Sequence, residues 1–100
     1  MRRFDVYVHD SAFDDLEQIL EFKLELSDTN SGAIRFRDSI LSAIDDLHSL
    51  PFASKPLIRG YRAKVVLGHY LIFEVDEANL KVYVSQIIDP AQHTKAAPFL

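Results

Sequence analysis

The chain reads as an α+β domain: a strand, a two-helix hairpin, then an antiparallel β-meander, with both helices packed on one sheet face. Three observations carry this reading. Apolar residues alternate with polar ones in four runs, at 3–9, 61–67, 70–76 and 80–88. Between the first and second runs they recur instead at three- and four-residue spacing, over 12–27 and 32–49. Helices follow helices and strands follow strands, the order of an α+β rather than an alternating α/β chain. One hundred residues make one domain, 1–100.

The elements follow in order. Phe4, Val6 and Val8 alternate with Asp5 and Tyr7, and the shortness of this strand suits an edge of the sheet. Ser11 and Asp14 have capping-box spacing, with Asp10 beside them, so a helix is expected over 12–27. Its apolar stripe is Phe13, Leu16, Leu20 and Leu24, widened by Ile19, Phe22 and Leu26. The run Ser27-Asp28-Thr29-Asn30-Ser31-Gly32 is a turn. Ala33, Phe36, Ile40, Ala43, Ile44 and Leu47 then predict a second helix over 32–49, ended by Pro51. Residues 51–60 hold Pro51, Pro56 and Gly60 and read as a loop. In the next strand Tyr61, Ala63 and Val65 share one face, and Arg62, Lys64 and Val66 the other. Gly68 and then Asp76-Glu77-Ala78-Asn79 divide the last three strands as hairpin turns. With the helices on one face, the basic residues of the 61–67 strand are expected on the face left free. The tail 89–100 reads as irregular.

Composition and charge narrow the classes. The chain has 48% apolar and 26% charged residues, the balance of a globular protein rather than a disordered one. It has no cysteine, hence no disulfide framework and no thiolate metal site. The histidines at 9, 48 and 69 show no metal-ligand spacing, and with three glycines there is no phosphate-binding glycine loop. No metal or other cofactor is expected. No apolar run approaches the roughly 20 residues of a membrane span, and the N-terminus lacks signal-peptide character, so a cytoplasmic protein without membrane partners is expected. The net charge of −4 hides an asymmetry. Residues 10–46 carry ten acids against three bases, whereas 47–73 carry Lys55, Arg59, Arg62 and Lys64 and no acid. Positive charge gathered on one hairpin of an acidic chain points to an anionic partner.

One ordered set of residues adds a resemblance. It comprises Gly60-Tyr61-Arg62, the run Gly68-His69-Tyr70-Leu71-Ile72-Phe73-Glu74-Val75-Asp76-Glu77, Val82-Tyr83-Val84 and Ile87-Ile88. Ala12, Leu16 and Ile19, and later Ile44, Leu47 and Pro51, fit the same pattern. Together with the element order, this set resembles the RelE/ParE superfamily of toxins from bacterial type II toxin–antitoxin modules, over nearly the whole chain. The resemblance implies a growth-inhibiting toxin neutralised by a cognate antitoxin that lays an extended and helical segment across it. One branch cleaves mRNA on the ribosome without a metal; the other poisons DNA gyrase. By the same resemblance, Arg62 and Lys64 occupy a strand pair that is basic in the nucleases. Tyr70 or His69 falls where those enzymes place an arginine. After Ile88, where many relatives continue with a basic stretch, this chain has Asp89-Pro90-Ala91-Gln92-His93.

Metal-independent RNA cleavage needs a base for the 2′-hydroxyl, an acid for the leaving oxygen, and positive charge at the phosphate. Arg62 and Lys64, about 7 Å apart along one strand face, have the spacing of a phosphate clamp. Tyr70 is the candidate to stack on a base or donate a proton, and His93 the candidate acid or base. Lys55 and Arg59 extend the basic surface as RNA-binding candidates. The plainer alternatives are that Arg62 and Lys64 meet an acidic antitoxin, that Tyr70 packs within the sheet, and that His93 is a solvated tail residue. Three activities stand open: a ribosome-dependent mRNA endoribonuclease, a gyrase poison without nuclease activity, and a degenerate toxin that binds only its antitoxin. The concentration of basic residues favours the first.

Overall fold

The computed structural model describes residues 3–90. Strand β1 spans Asp5–Val8, helix α1 Asp10–Leu26, helix α2 Ser31–Asp46, and strand β2 Lys55–Pro56. A short 3₁₀ turn, Ile58–Gly60, precedes strands β3 at Tyr61–Val66, β4 at His69–Asp76 and β5 at Lys81–Ile88. The sheet has five strands in the order β1-β5-β4-β3-β2. The meander β3-β4-β5 is antiparallel as expected, but β1 lies parallel to β5, pairing Val6 with Val82 and Val8 with Val84. The sheet is therefore mixed, with β1 at one edge. The expected loop at 51–60 contains the two-residue strand β2 at the other edge, paired with Ala63 and Arg62.

Both helices cover one face. α1 buries Ala12, Leu16 and Ile19, and α2 buries Ala33, Phe36, Ile40 and Ala43. They close over Phe4, just before β1, and over Val66, Leu71, Phe73, Val82, Val84 and Ile87 of the sheet. Fully buried rings such as Phe36 and Phe73 each contribute roughly 1.5–3 kcal/mol of hydrophobic stabilisation. The expected stripe of α1 is shifted. Phe13, Phe22, Leu24 and Leu26 are exposed, while Ala12, too small to stand out in a hydrophobic pattern, is fully buried. The far face carries a smaller cluster in which Ala63, Ile72 and Ile88 are buried with Leu57, Tyr61 and Tyr70 against them.

α1 also completes the sheet edge. β1 ends at Val8, so the outer edge of β5 beyond Val84 has no neighbouring strand. A bulge lies there, since Ile72 pairs with Gln86 and Phe73 with Val84, leaving Ser85 unmatched. The freed backbone groups find partners in α1. The Ser11 hydroxyl donates to the Ser85 carbonyl at 2.7 Å, and the Asp15 carboxylate accepts the Ile87 N–H at 3.0 Å. Ser11 thus bonds to β5 rather than closing a capping box. The helix begins at Asp10 with His9 as N-cap, without a side-chain cap bond.

The hairpin turns explain their residues. Leu67 and Gly68 have φ of 48° and 78°, the left-handed pair of a two-residue type I′ turn. Glycine suits the second position; leucine at the first is unusual. In the β4–β5 turn, Asp76 accepts the Asn79 backbone N–H at 3.2 Å and its side-chain amide at 2.8 Å.

Candidate functional site

Cross-strand pairing settles which face each candidate occupies. Arg62 stands opposite Phe73 and Lys64 opposite Leu71, and both partners lie in the core beneath the helices. The two basic residues are therefore on the helix-covered face, at its β3 flank, and not on the free face as expected. The reason is their reach. Long charged side chains can lie along apolar surface while the head group finds a polar partner at the rim. Arg62 Nε donates to Ser54 Oγ at 2.9 Å, and its terminal nitrogen donates to the carbonyls of Ser54 and Phe52 at 2.9 and 3.2 Å. Its guanidinium lies 5.2 Å from the Phe52 ring, which packs edge-on against Phe4. Lys64 Nζ lies 3.2 Å from the Asp46 carboxylate at the end of α2. Arg62 anchors the loop before β2, and Lys64 ties β3 to α2.

Tyr70 pairs with Val65 and Ile88 on the opposite face. Lys55, opposite Ala63, is on that far face too. Arg59 is exposed in the 3₁₀ turn with a φ of 59°. His93 lies outside the described residues. The structure therefore separates Arg62 and Lys64 from Tyr70 by the thickness of the sheet. His69, the other candidate at that strand, is buried on the helix side beneath Phe36, with ring centres 4.4 Å apart. Its Nδ1 lies 2.8 Å from the Leu67 carbonyl, which can only accept, so Nδ1 donates. Its Nε2 is 3.4 Å from the buried Asp89 carboxylate. That pairing fastens the β3–β4 turn to the end of β5.

Two further surfaces stand out. One is a groove of about 780 Å³ between α2 and β3, lined by Ile34, Arg35, Asp38, Ser42, Lys64 and Val66. It runs beside the part of β3, Lys64–Val66, that β2 is too short to cover. Val65 there is 64% exposed. The other is a row across the far face that sequence reasoning passed over. Tyr7 pairs with Tyr83, Tyr83 with Glu74, and Glu74 with Tyr61, across β1, β5, β4 and β3. The Tyr7 and Tyr83 rings stack at 5.6 Å, His9 lies 6.0 Å from Tyr83, and Lys81 sits 5.8 Å over Tyr7. The signal was present: all four tyrosines of the chain alternate onto this face. Beside the row, the two Asn79 bonds, the side-chain one foremost, hold the Asp76 carboxyl below the usual carboxylate range.

Among the described residues no group of acids and histidines has the arrangement of a metal site, and no helix is long and apolar enough to cross a membrane. No family model and no curated protein matches the sequence. Solved structures do match. A chain of the chromosomal ParDE toxin–antitoxin system of P. aeruginosa superposes with a TM-score of 0.72 at 13% identity, over 87% of this chain and 96% of that one. A chain of the RelBE2 toxin–antitoxin complex of Mycobacterium tuberculosis superposes with a TM-score of 0.59 at 19% identity, over 87% and 98%. Two helices on a mixed five-stranded sheet, matched over nearly their full length in both, give this chain the RelE/ParE-like fold.

Proposed function

We propose that this chain is the toxin of a toxin–antitoxin module and that it acts by binding a protein target, DNA gyrase in the manner of the ParE branch, rather than by cutting mRNA. The likeness to chains of two toxin–antitoxin systems supports the first half. The observation that carries the second is the separation of the nuclease candidates. Arg62 and Lys64 are held on the helix-covered face by Ser54, Phe52 and Asp46, while Tyr70 stands on the other. A phosphate at the basic pair is out of reach of the tyrosine, so clamp and proton donor do not share a substrate. The far face carries Asp5, Glu74 and Asp76 against Lys55 and Lys81, a poor surface for a polyanion.

The antitoxin fits the groove between α2 and β3. An extended segment would pair with the uncovered edge of β3, and an amphipathic helix would lie over Ile34 and Val66. A second reading, mRNA cleavage, rests on Lys55 and Tyr70 sharing the far face.

Regulated expression of the chain in a bacterial host, with pulse labelling of protein and DNA synthesis, tests the proposal. Filamentation and DNA damage with translation intact is the expected result. Immediate collapse of protein synthesis, with transcripts cut inside reading frames, would move the assignment to the second reading. Undisturbed growth with soluble protein would leave only antitoxin binding.

A further inference from the structure

The far-face row has a composition that neither reading uses. Glu74 is exposed and stands between Tyr83 and Tyr61, with Tyr7 one strand further. Its nearest cross-strand neighbours are both aromatic, and no ion pair or side-chain hydrogen bond within the described residues engages it. We propose that Tyr7, Tyr83, Glu74 and Tyr61 form a docking site for an arginine presented by a protein partner.

The chemistry favours a guanidinium. A planar cation lies flat on a tyrosine face while its N–H fork meets a carboxylate, and this row offers both at adjacent positions. The row already holds one cation at its edge: Lys81 lies 5.8 Å over Tyr7, and by register stands between Asp5 and Asp76. The local balance of three acids to two bases attracts a basic side chain and repels a phosphate backbone, which disfavours a nucleic acid. Tyrosine clusters are also where binding energy concentrates in protein interfaces. The proposal stands apart from the toxin assignment, since it depends only on this row.

The test is a titration of the full chain, followed by backbone amide and tyrosine-ring NMR resonances. The probes are the tripeptide acetyl-Gly-Arg-Gly-amide, its citrulline isostere, and hexauridine. Expected are saturable shifts centred on Tyr7, Tyr61, Glu74 and Tyr83 with the arginine peptide and none with citrulline. Glu74→Gln, isosteric at an exposed site, should weaken binding about fivefold, and Tyr83→Leu about threefold. Equal shifts with both peptides, or shifts spread over the acids of α1, would overturn the proposal. So would hexauridine binding at the row, or concentration-dependent shifts of the chain alone that mark a second copy there.

Discussion

The Asp15 carboxylate on α1 accepts the backbone N–H of Ile87 on β5 at 3.0 Å, a bond between residues 72 positions apart. A helix side chain here takes the place of a neighbouring strand. β1 is too short to reach Ile87, and an edge N–H left without a partner would cost stability and invite pairing with another chain. Asp15→Ala should therefore destabilise the protein by about 1–3 kcal/mol. The Ile87 amide should exchange with solvent faster than its neighbours. Urea unfolding with residue-resolved hydrogen exchange measures both, and an unchanged midpoint would count against the bond.

Arg62 and Lys64 should behave differently on removal. Arg62→Ala loses three hydrogen bonds to the 52–54 loop and should cost about 2 kcal/mol, lowering the melting temperature by about 10 °C. Lys64→Ala breaks only a partly exposed ion pair and should cost under about 0.5 kcal/mol. In a growth assay Lys64→Ala is then the informative variant. Retained growth arrest agrees with a binding toxin, whereas an abolished arrest in a folded Lys64→Ala protein would favour phosphate chemistry.

Leu67 holds the first position of the type I′ turn with a φ of 48°, where a leucine side chain crowds the backbone. Leu67→Asn should stabilise the domain by about 0.5–1 kcal/mol, a rise of about 4 °C in the melting temperature. A fall would mean that the half-exposed Leu67 side chain contributes contacts that outweigh the strain.

The Asp76 carboxyl titrates below the ordinary carboxylate range because Asn79 bonds to its charged form. A depressed folded-state value means that this bond adds stability above the unfolded-state pKa and loses it as pH falls through the folded one. Asn79→Ala should return the Asp76 value toward the ordinary range, read by carboxyl carbon NMR, and remove that part of the acid dependence. An unmoved titration in Asn79→Ala would show that the Asn79 bonds are not the cause.

The elements themselves were legible because hydrophobic period names helix and strand locally: α2 and the three strands of the meander lie within two or three residues of where the pattern puts them. Pairings across the chain were not. Nothing near Asp5 announces that β1 will lie parallel to β5, because that register is decided by residues some 76 positions away. Face was the harder question. Val65 and Val66 are the same residue type at adjacent positions, one exposed and one buried, so alternation alone cannot say which face of β3 meets the helices. A rule that charge avoids a covered surface puts the basic residues on the free face. Arg62 and Lys64 escape that rule by reaching its rim. In α1 a similar ambiguity let Phe13 and Leu24 stand in for Ala12, whose small side chain allows the helix to approach closely.

The parallel pairing of β1 with β5 also orders events during synthesis. β1 has no partner in the sheet until β5 has been made, some 76 residues later. Until then the nascent chain carries Val6 and Val8 unpaired, and the helical hairpin lacks the β5 part of the floor it packs on. Closure of the core thus waits for β5, and chains cut short before it lack the Val82, Val84 and Ile87 side chains of that core.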